Sequence, residues 1–172
     1  IGYELACRLY RAGKILVLVD REIGNLIGFG NNKVIKCDLA NRIELDELIV
    51  ELRGFDPDVL VNNAGIGFKA EFEKMTENQI QTTIEVNLVA PLKLAHALLP
   101  AIIKNHGTVV NIGSSAGYNP LPGMAEYAAS KAFVISWSSA LWHEVRGKCD
   151  VVTFSPSGTN TAFQKGAGVK NS

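Results

Sequence analysis

The sequence predicts an open, doubly wound parallel sheet of the α/β class. Two observations predict it. Five short runs rich in Val, Ile and Leu are apolar almost throughout, as strands buried on both faces must be. Segments with helical periodicity lie between them, and alternating strand and helix gives parallel pairing through right-handed crossovers. Five strands cannot close an eight-stranded barrel, so the sheet stays open.

The elements follow in chain order. A first helix ends at "LYRAG", where Gly13 supplies a stop. The strands are "KILVLVD" (14–20), "NKVIKCD" (32–38), "DVLVNNA" (58–64), "GTVVNIGS" (107–114) and "DVVTFSP" (150–156). In "NRIELDELIVELRG", Leu45, Leu48, Ile49 and Leu52 fall at i, i+3, i+4 and i+7, and Gly54 follows as a stop. Thr76 and Gln79 form a capping box that opens a long helix. Ile80, Ile84, Leu88, Ala95, Leu99 and Ile102 mark one face of it, and Pro91 should kink it by removing a backbone donor. The helix carrying Tyr127 should run to about Gly147.

Length and composition bound the function. The 172 residues fit one domain, 1–172, with a sizeable core. Lys plus Arg and Asp plus Glu are both 17, so there is no basic surplus to suit a nucleic acid or an anionic membrane. Runs such as "LAHALLPAII" are too short for a bilayer span. Cys7, Cys37 and Cys149 are odd in number and far apart, matching neither a disulfide framework nor a zinc site. His96, His106 and His143 have no metal-like spacing and read as helix faces and a turn. We expect a cytoplasmic protein with no signal peptide, no metal, no nucleic acid and no membrane partner.

In an open α/β sheet the ligand sits beyond the carboxyl ends of the strands. Asp20, Asp38, Asn62 to Gly65, Gly113 to Ser115, and Pro156 to Thr161 should therefore surround one crevice. Asp20 suits the hydroxyls of an adenosine ribose and repels a 2′-phosphate, which favours NAD over NADP. It equally suits a cap on the next segment, and the neighbouring Arg21 could bind a 2′-phosphate. The small and amide residues of "NNAG" (62–65) let a backbone approach a flat ligand, and also suit an ordinary turn.

Tyr127 and Lys131 are one helical turn apart and share a face. A nearby ammonium stabilises a phenolate and lowers its pKa, so the pair could trade a proton with a hydroxyl or carbonyl. Ser114, at the preceding strand exit, can bring its hydroxyl to the same oxygen. The plain alternative is a core Tyr with a solvent Lys. Agreement of the pieces on one sheet edge favours a site.

As a set, these motifs resemble the short-chain dehydrogenase/reductase family over nearly the whole chain. The residues that carry it are "NNAG" (62–65), "VNL" (86–88), "VVNIGSSAG" with Ser114, "YAASK" (127–131) and "SPSGTNT" (155–161). The resemblance implies a Rossmann-type fold. Tyr127 would be the general acid/base, Lys131 would tune it and hold the nicotinamide ribose, and Ser114 would orient the substrate carbonyl. Asn87 would anchor a water that relays protons from Lys131, its alternative being a helix cap or kink partner beside Pro91.

Cofactor contacts are implied at Gly2, Asp20, Arg21, Asp38 and Leu39, at Asn63, Ala64 and Gly65, and at Pro156, Ser157, Thr159 and Thr161, besides Tyr127 and Lys131. Ser157 stands where the family has Gly. The resemblance also puts a first strand and most of a glycine-rich loop ahead of residue 1, with Gly2 as the loop's last glycine. We therefore expect part of a longer enzyme. Tyr118, Met124 and Phe163 suit substrate-pocket walls or loop packing equally well.

The leading expectation is an oxidoreductase that moves a hydride between NAD(H), or NADP(H), and a small or medium apolar ketone or secondary alcohol, acting as a homodimer or homotetramer. A catalytically silent dinucleotide-binding regulator is a second reading, and an epimerase or dehydratase of the extended branch a third. Intact Ser114, Tyr127 and Lys131 argue against the second, and the third usually needs a larger C-terminal substrate domain.

Overall fold

The computed structural model describes residues 1–26, 28–30 and 32–157, so the contacts expected of Thr159, Thr161 and Phe163 lie outside the described residues. The elements are α1 (Gly2–Arg11), β1 (Val17–Asp20), β2 (Lys33–Lys36), α2 (Arg42–Leu52), β3 (Val59–Asn62), α3 (Glu77–Ile84), a π turn (Glu85–Val89), α4 (Ala90–Lys104), β4 (Thr108–Ile112), α5 (Ala125–Val145) and β5 (Asp150–Phe154). Each expected strand is present within its predicted run.

All pairings are parallel. β1 lies on β2, with Asp20 opposite Lys36. β3, β4 and β5 pair in that order, with Asn62 opposite Asn111 and Thr108 opposite Asp150. A single five-stranded sheet was the expectation. Among the described residues no ladder joins the pair to the triple. The two share a core instead: Val17, Val19 and Ile35 pack against the cluster holding Leu60, Val109 and Val151. That cluster also takes Leu45, Leu48, Ile49 and Leu52 from α2, Leu94, Leu98 and Ile102 from α4, and Leu141 and Val145 from α5. Each fully buried aliphatic side chain of this kind contributes about 1.5–3 kcal/mol. A smaller cluster of Ala6, Leu26 and Phe29 joins α1 to Leu16, Leu18 and Val34.

Helix ends follow local chemistry. The Asn41 side chain accepts from Ile43 N–H at 3.1 Å and opens α2. The predicted capping box at α3 is present, with Gln79 N–H on Thr76 Oγ1 at 3.2 Å and Thr76 N–H on Gln79 Oε1 at 2.9 Å. Gly13 and Gly147 adopt left-handed φ of 74° and 80° after their helices. Gly54 does not, and the positive φ after α2 falls at Asp56 instead (49°).

The long helix differs most from expectation. Its π turn holds an extra residue, which rotates everything beyond it by about 100°. The predicted single face therefore breaks. Ile84 is 39 % exposed, and the buried face of α4 becomes Ala90, Pro91, Leu94, Ala95, Leu98 and Ile102. Pro91 sits in the first turn of α4, where its missing N–H interrupts the ladder. The stretch Glu77–Lys104 is also long and apolar enough, by length and composition, to cross a membrane, contrary to the reading of its shorter runs. Here its buried residues pack into the core beside α2 and α5.

A buried polar line ties the sheet to α5. Asn62 Nδ2 donates to Asn111 Oδ1 at 2.8 Å, Asn111 Nδ2 to Ser138 Oγ at 2.9 Å, and Ser138 Oγ to the Val134 carbonyl at 2.6 Å. With its amide oxygen and its amide nitrogen each hydrogen-bonded, burying Asn111 costs less than it would unpaired. The line fixes α5 over the exits of β3 and β4.

Candidate active site

α5 starts beside the β4 exit and carries Tyr127 and Lys131 on its inward face, 9 % and 5 % exposed. Met124, at the start of the helix, packs on Tyr127 together with Ala116. Ser114 leaves β4 in extended conformation, and its Oγ accepts from Ala116 N–H at 3.2 Å. The same hydroxyl is close enough to the Tyr127 phenol to lower its pKa as a hydrogen-bonding group. Lys131 Nζ donates to the Ile112 carbonyl at 2.8 Å and lies 5.8 Å from the centre of the Tyr127 ring. Ser114, Tyr127 and Lys131 thus meet at one strand exit.

The electrostatics differ from the expectation in one respect. Burial raises the Tyr127 pKa, and the counterweight that lowers it is the Ser114 hydrogen bond rather than Lys131. Burial also pushes the Lys131 ammonium down to about 8. The ammonium itself is anchored on the Ile112 carbonyl.

The β3 exit lies against both side chains. A Cβ on Gly65 would stand 3.1 Å from Lys131 Nζ, and one on Gly67 would stand 2.6 Å from Cδ2 of Tyr127. Only glycine lets this segment approach so closely. Between the two glycines, Ile66 is clasped at both backbone groups by Asn87 of the π turn. Ile66 N–H donates to Asn87 Oδ1 at 2.9 Å, and Asn87 Nδ2 donates to the Ile66 carbonyl at 2.8 Å. Asn87 Nδ2 also donates to Ser130 Oγ at 2.9 Å. The side-chain amide is therefore committed to protein partners, and a relay water assigned to Asn87 would fall to its backbone.

The remaining predicted residues are placed as follows. Asp20 is exposed at the end of β1, with Oδ1 accepting from Glu22 N–H at 3.0 Å, the turn-capping alternative. Arg21 is exposed and 4.0 Å from Glu22. Asp38 uses Oδ1 on Ala40 N–H at 2.9 Å, and its own N–H donates to Glu44. Leu39 packs on the main core. The Asn63 amide abuts Gly2 so closely that a Cβ there would clash, which joins the start of α1 to the β3 exit. Ala64 is exposed beside it. The Pro156 carbonyl accepts from Ser115 N–H at 3.0 Å, and Ser157 is exposed.

Tyr118 is 63 % exposed and lines a groove of about 470 Å³ with Leu121, Ala128 and Ala132; Tyr127 and Lys131 are not among its lining residues. Sequence reasoning did not single out Ser130, Gly67 or the Ile112 carbonyl. For Ser130 a signal existed: a serine three residues after Tyr127 sits on the face that Tyr127 and Lys131 share.

Comparison with known proteins gives the family. The family model for short chain dehydrogenase matches residues 1–171. A very-long-chain 3-oxoacyl-CoA reductase of Mycosarcoma maydis is 32 % identical over 161 residues, covering 85 % of this chain and 46 % of that protein. The chain spans about half the length of the first such relatives it matches. A short-chain dehydrogenase from Sphingobium yanoikuyae, solved in complex with NADPH, superposes with a TM-score of 0.91 at 31 % identity, over 98 % of this chain and 71 % of that one. A bulky-bulky ketone specific alcohol dehydrogenase from Comamonas testosteroni superposes with a TM-score of 0.86 at 32 % identity, over 92 % and 69 %. The parallel α/β fold, the ordered motifs and the matched family model together establish that this chain belongs to the short-chain dehydrogenase family.

Proposed function

We propose that this chain carries the nucleotide site and the proton-transfer site of an NAD(P)-dependent oxidoreductase acting on a carbonyl or secondary alcohol. The observation that carries the reading is the contact of Ser114 with the Tyr127 phenol, one helical turn from the buried Lys131.

The residues fit a nicotinamide dinucleotide. The Gly2–Asn63 contact brings the start of α1, with its unpaired N–H groups, against the β3 exit, a natural seat for a pyrophosphate. Asp20 offers an exposed carboxylate to a ribose, and Ala64 and Gly65 offer a surface free of large side chains. Lys131 makes one hydrogen bond among the described residues, leaving N–H groups for a second ribose. When bound, the cofactor supplies or accepts the hydride.

The chain's own residues handle the proton. In carbonyl reduction, Ser114 donates a hydrogen bond to the substrate oxygen and Tyr127 delivers its proton there. The Ser114 hydroxyl is the group that lowers the cost of the phenolate left behind, with the Lys131 ammonium 5.8 Å from its ring centre. In alcohol oxidation the same proton returns to Tyr127. The raised phenol pKa keeps Tyr127 protonated at neutral pH, which suits reduction. Alcohol oxidation should gain as pH rises. Asp20 favours NAD, whereas the Sphingobium relative holds NADPH. We further place the enzyme in the cytoplasm as a homodimer or homotetramer.

The test is Tyr127→Phe in the full-length protein. Turnover should fall by roughly 10²–10⁴-fold, the range of general acid–base catalysis, with nucleotide affinity nearly kept. Unchanged turnover overturns the role of Tyr127.

A further inference from the structure

Ser130 is 4 % exposed, and both of its hydrogen-bonding capacities are used. Its hydroxyl donates to the Tyr127 carbonyl at 2.7 Å and accepts from Asn87 Nδ2 at 2.9 Å. Asn87 spends its remaining capacity on the two backbone groups of Ile66. Ile66 lies between Gly65, which faces Lys131 Nζ, and Gly67, which faces the Tyr127 ring. One continuous set of bonds therefore runs from the catalytic helix through Ser130 and Asn87 to the segment against which both side chains rest.

We propose that Ser130 is a positioning residue: it locks the Asn87 amide in the orientation that clasps Ile66, and so sets the distance between the glycine segment and the Tyr127–Lys131 pair. This rests on the proton-transfer reading given above. The lock is directional. Asn87 has two amide protons, and Ile66 takes one. Ser130 supplies the acceptor for the other, at a site where no water is needed. Without it, a buried N–H is orphaned and the amide gains a reason to rotate away from Ile66. The glycine segment then loosens, and the seats of Tyr127 and Lys131 loosen with it. Small displacements of this kind weaken chemistry more than binding.

The experiment compares wild-type, Ser130→Ala, Ser130→Cys and Tyr127→Phe full-length enzymes, each with kcat, KM, a pH–rate profile, nucleotide affinity and a melting curve. For Ser130→Ala we expect kcat to fall about 10-fold, with KM and nucleotide affinity changed by less than about 3-fold. The phenol should titrate at higher pH than in wild type, because a less firmly seated Tyr127 loses part of the Ser114 hydrogen bond that holds its pKa down. Ser130→Cys, a weaker acceptor of similar size, should fall between. A lower melting temperature with kcat and titration unmoved would mean that Ser130 only supports the fold, and the proposal is then wrong. If Ser130→Ala does not fold, Ser130→Cys decides: wild-type kcat and titration there overturn the proposal, and an intermediate loss supports it. If Tyr127→Phe keeps its turnover, the proton-transfer reading itself has failed, an outcome distinct from an inert Ser130.

Discussion

Lys131 Nζ is held by the Ile112 carbonyl at 2.8 Å, while the Tyr127 ring centre stands 5.8 Å away. The ammonium is thus fixed to the end of β4, one turn beyond the phenol on α5. Holding a charge in that buried position has a stability cost, expressed in its pKa of about 8.

Replacing the charge should stabilise the fold and stop the chemistry. The folded pKa lies below the ordinary lysine value near 10.5, so burial of the ammonium opposes folding. Below about pH 8 both states are protonated and the whole penalty applies. Between about 8 and 10.5 the unfolded chain binds more protons, so stability rises with pH. Lys131→Met should therefore be more stable at pH 7, by about 1–3 kcal/mol, with the gain fading as pH approaches the ordinary lysine value. Turnover should be nearly abolished. Melting curves at pH 7 and 10 check this, and a Met variant that melts below wild type at pH 7 contradicts it.

Gly67→Ala should damage catalysis more than Gly65→Ala. The new Cβ at 67 would stand 2.6 Å from the Tyr127 ring, which is rigid and packed on Met124. The one at 65 meets Lys131 Nζ at 3.1 Å, the far end of a flexible chain. We expect Gly67→Ala to cost about 1–3 kcal/mol of stability, the range for overpacking a core. Its turnover should drop by roughly 10²-fold, as for a misplaced catalytic group. Steady-state kinetics and thermal melts of both variants test the order.

The proposed preference for NAD rests on Asp20. One of its oxygens already shapes the turn at Glu22, and the residue remains exposed at the strand end. Asp20→Ala should weaken NAD by about 10-fold more than NADP, since the carboxylate attracts ribose hydroxyls and repels a 2′-phosphate. Fluorescence titration with each nucleotide measures it. Equal losses remove Asp20 from the argument for NAD.

The strands were legible because a parallel sheet buries both faces, and the apolar runs ending at Asp20, Asn62 and Ile112 have no other use. Ser114, Tyr127 and Lys131 were legible as a spacing and a strand exit. Their electrostatics were not. The Lys131–Ile112 bond depends on side-chain direction, and burial depends on the assembled layers. The π turn escaped periodicity for a similar reason: Ile80 and Ile84 extrapolate smoothly into Leu88, and nothing in the apolar pattern marks an inserted residue. Ser130 was hidden in "YAASK", where a small polar residue looks like helix filler.

The π turn also carries an ion pair whose loss should be visible in acid. Glu85 is buried, 5 % exposed, and its Oε1 accepts from Arg42 Nε and Nη2 at 2.9 and 2.6 Å and from Gln81 Nε2 at 2.6 Å. The Arg42 hydrogen bond is the largest cause holding the Glu85 carboxyl below its usual value. A depressed carboxyl pKa stabilises the fold above the unfolded value of about 4.5, and that stability is lost as pH falls through the folded value. Arg42→Ala removes the partner and leaves a buried charge, so the variant should melt lower than wild type at pH 7. The gap should narrow toward pH 4, where the unpartnered Glu85 protonates. It should also shrink in high salt, since Arg42 itself is largely exposed. Because Glu85 begins the turn that holds Asn87, Arg42→Ala should lower kcat modestly without changing nucleotide affinity. A gap that stays constant from pH 7 to 4 would show that Glu85 does not depend on Arg42 for its charge.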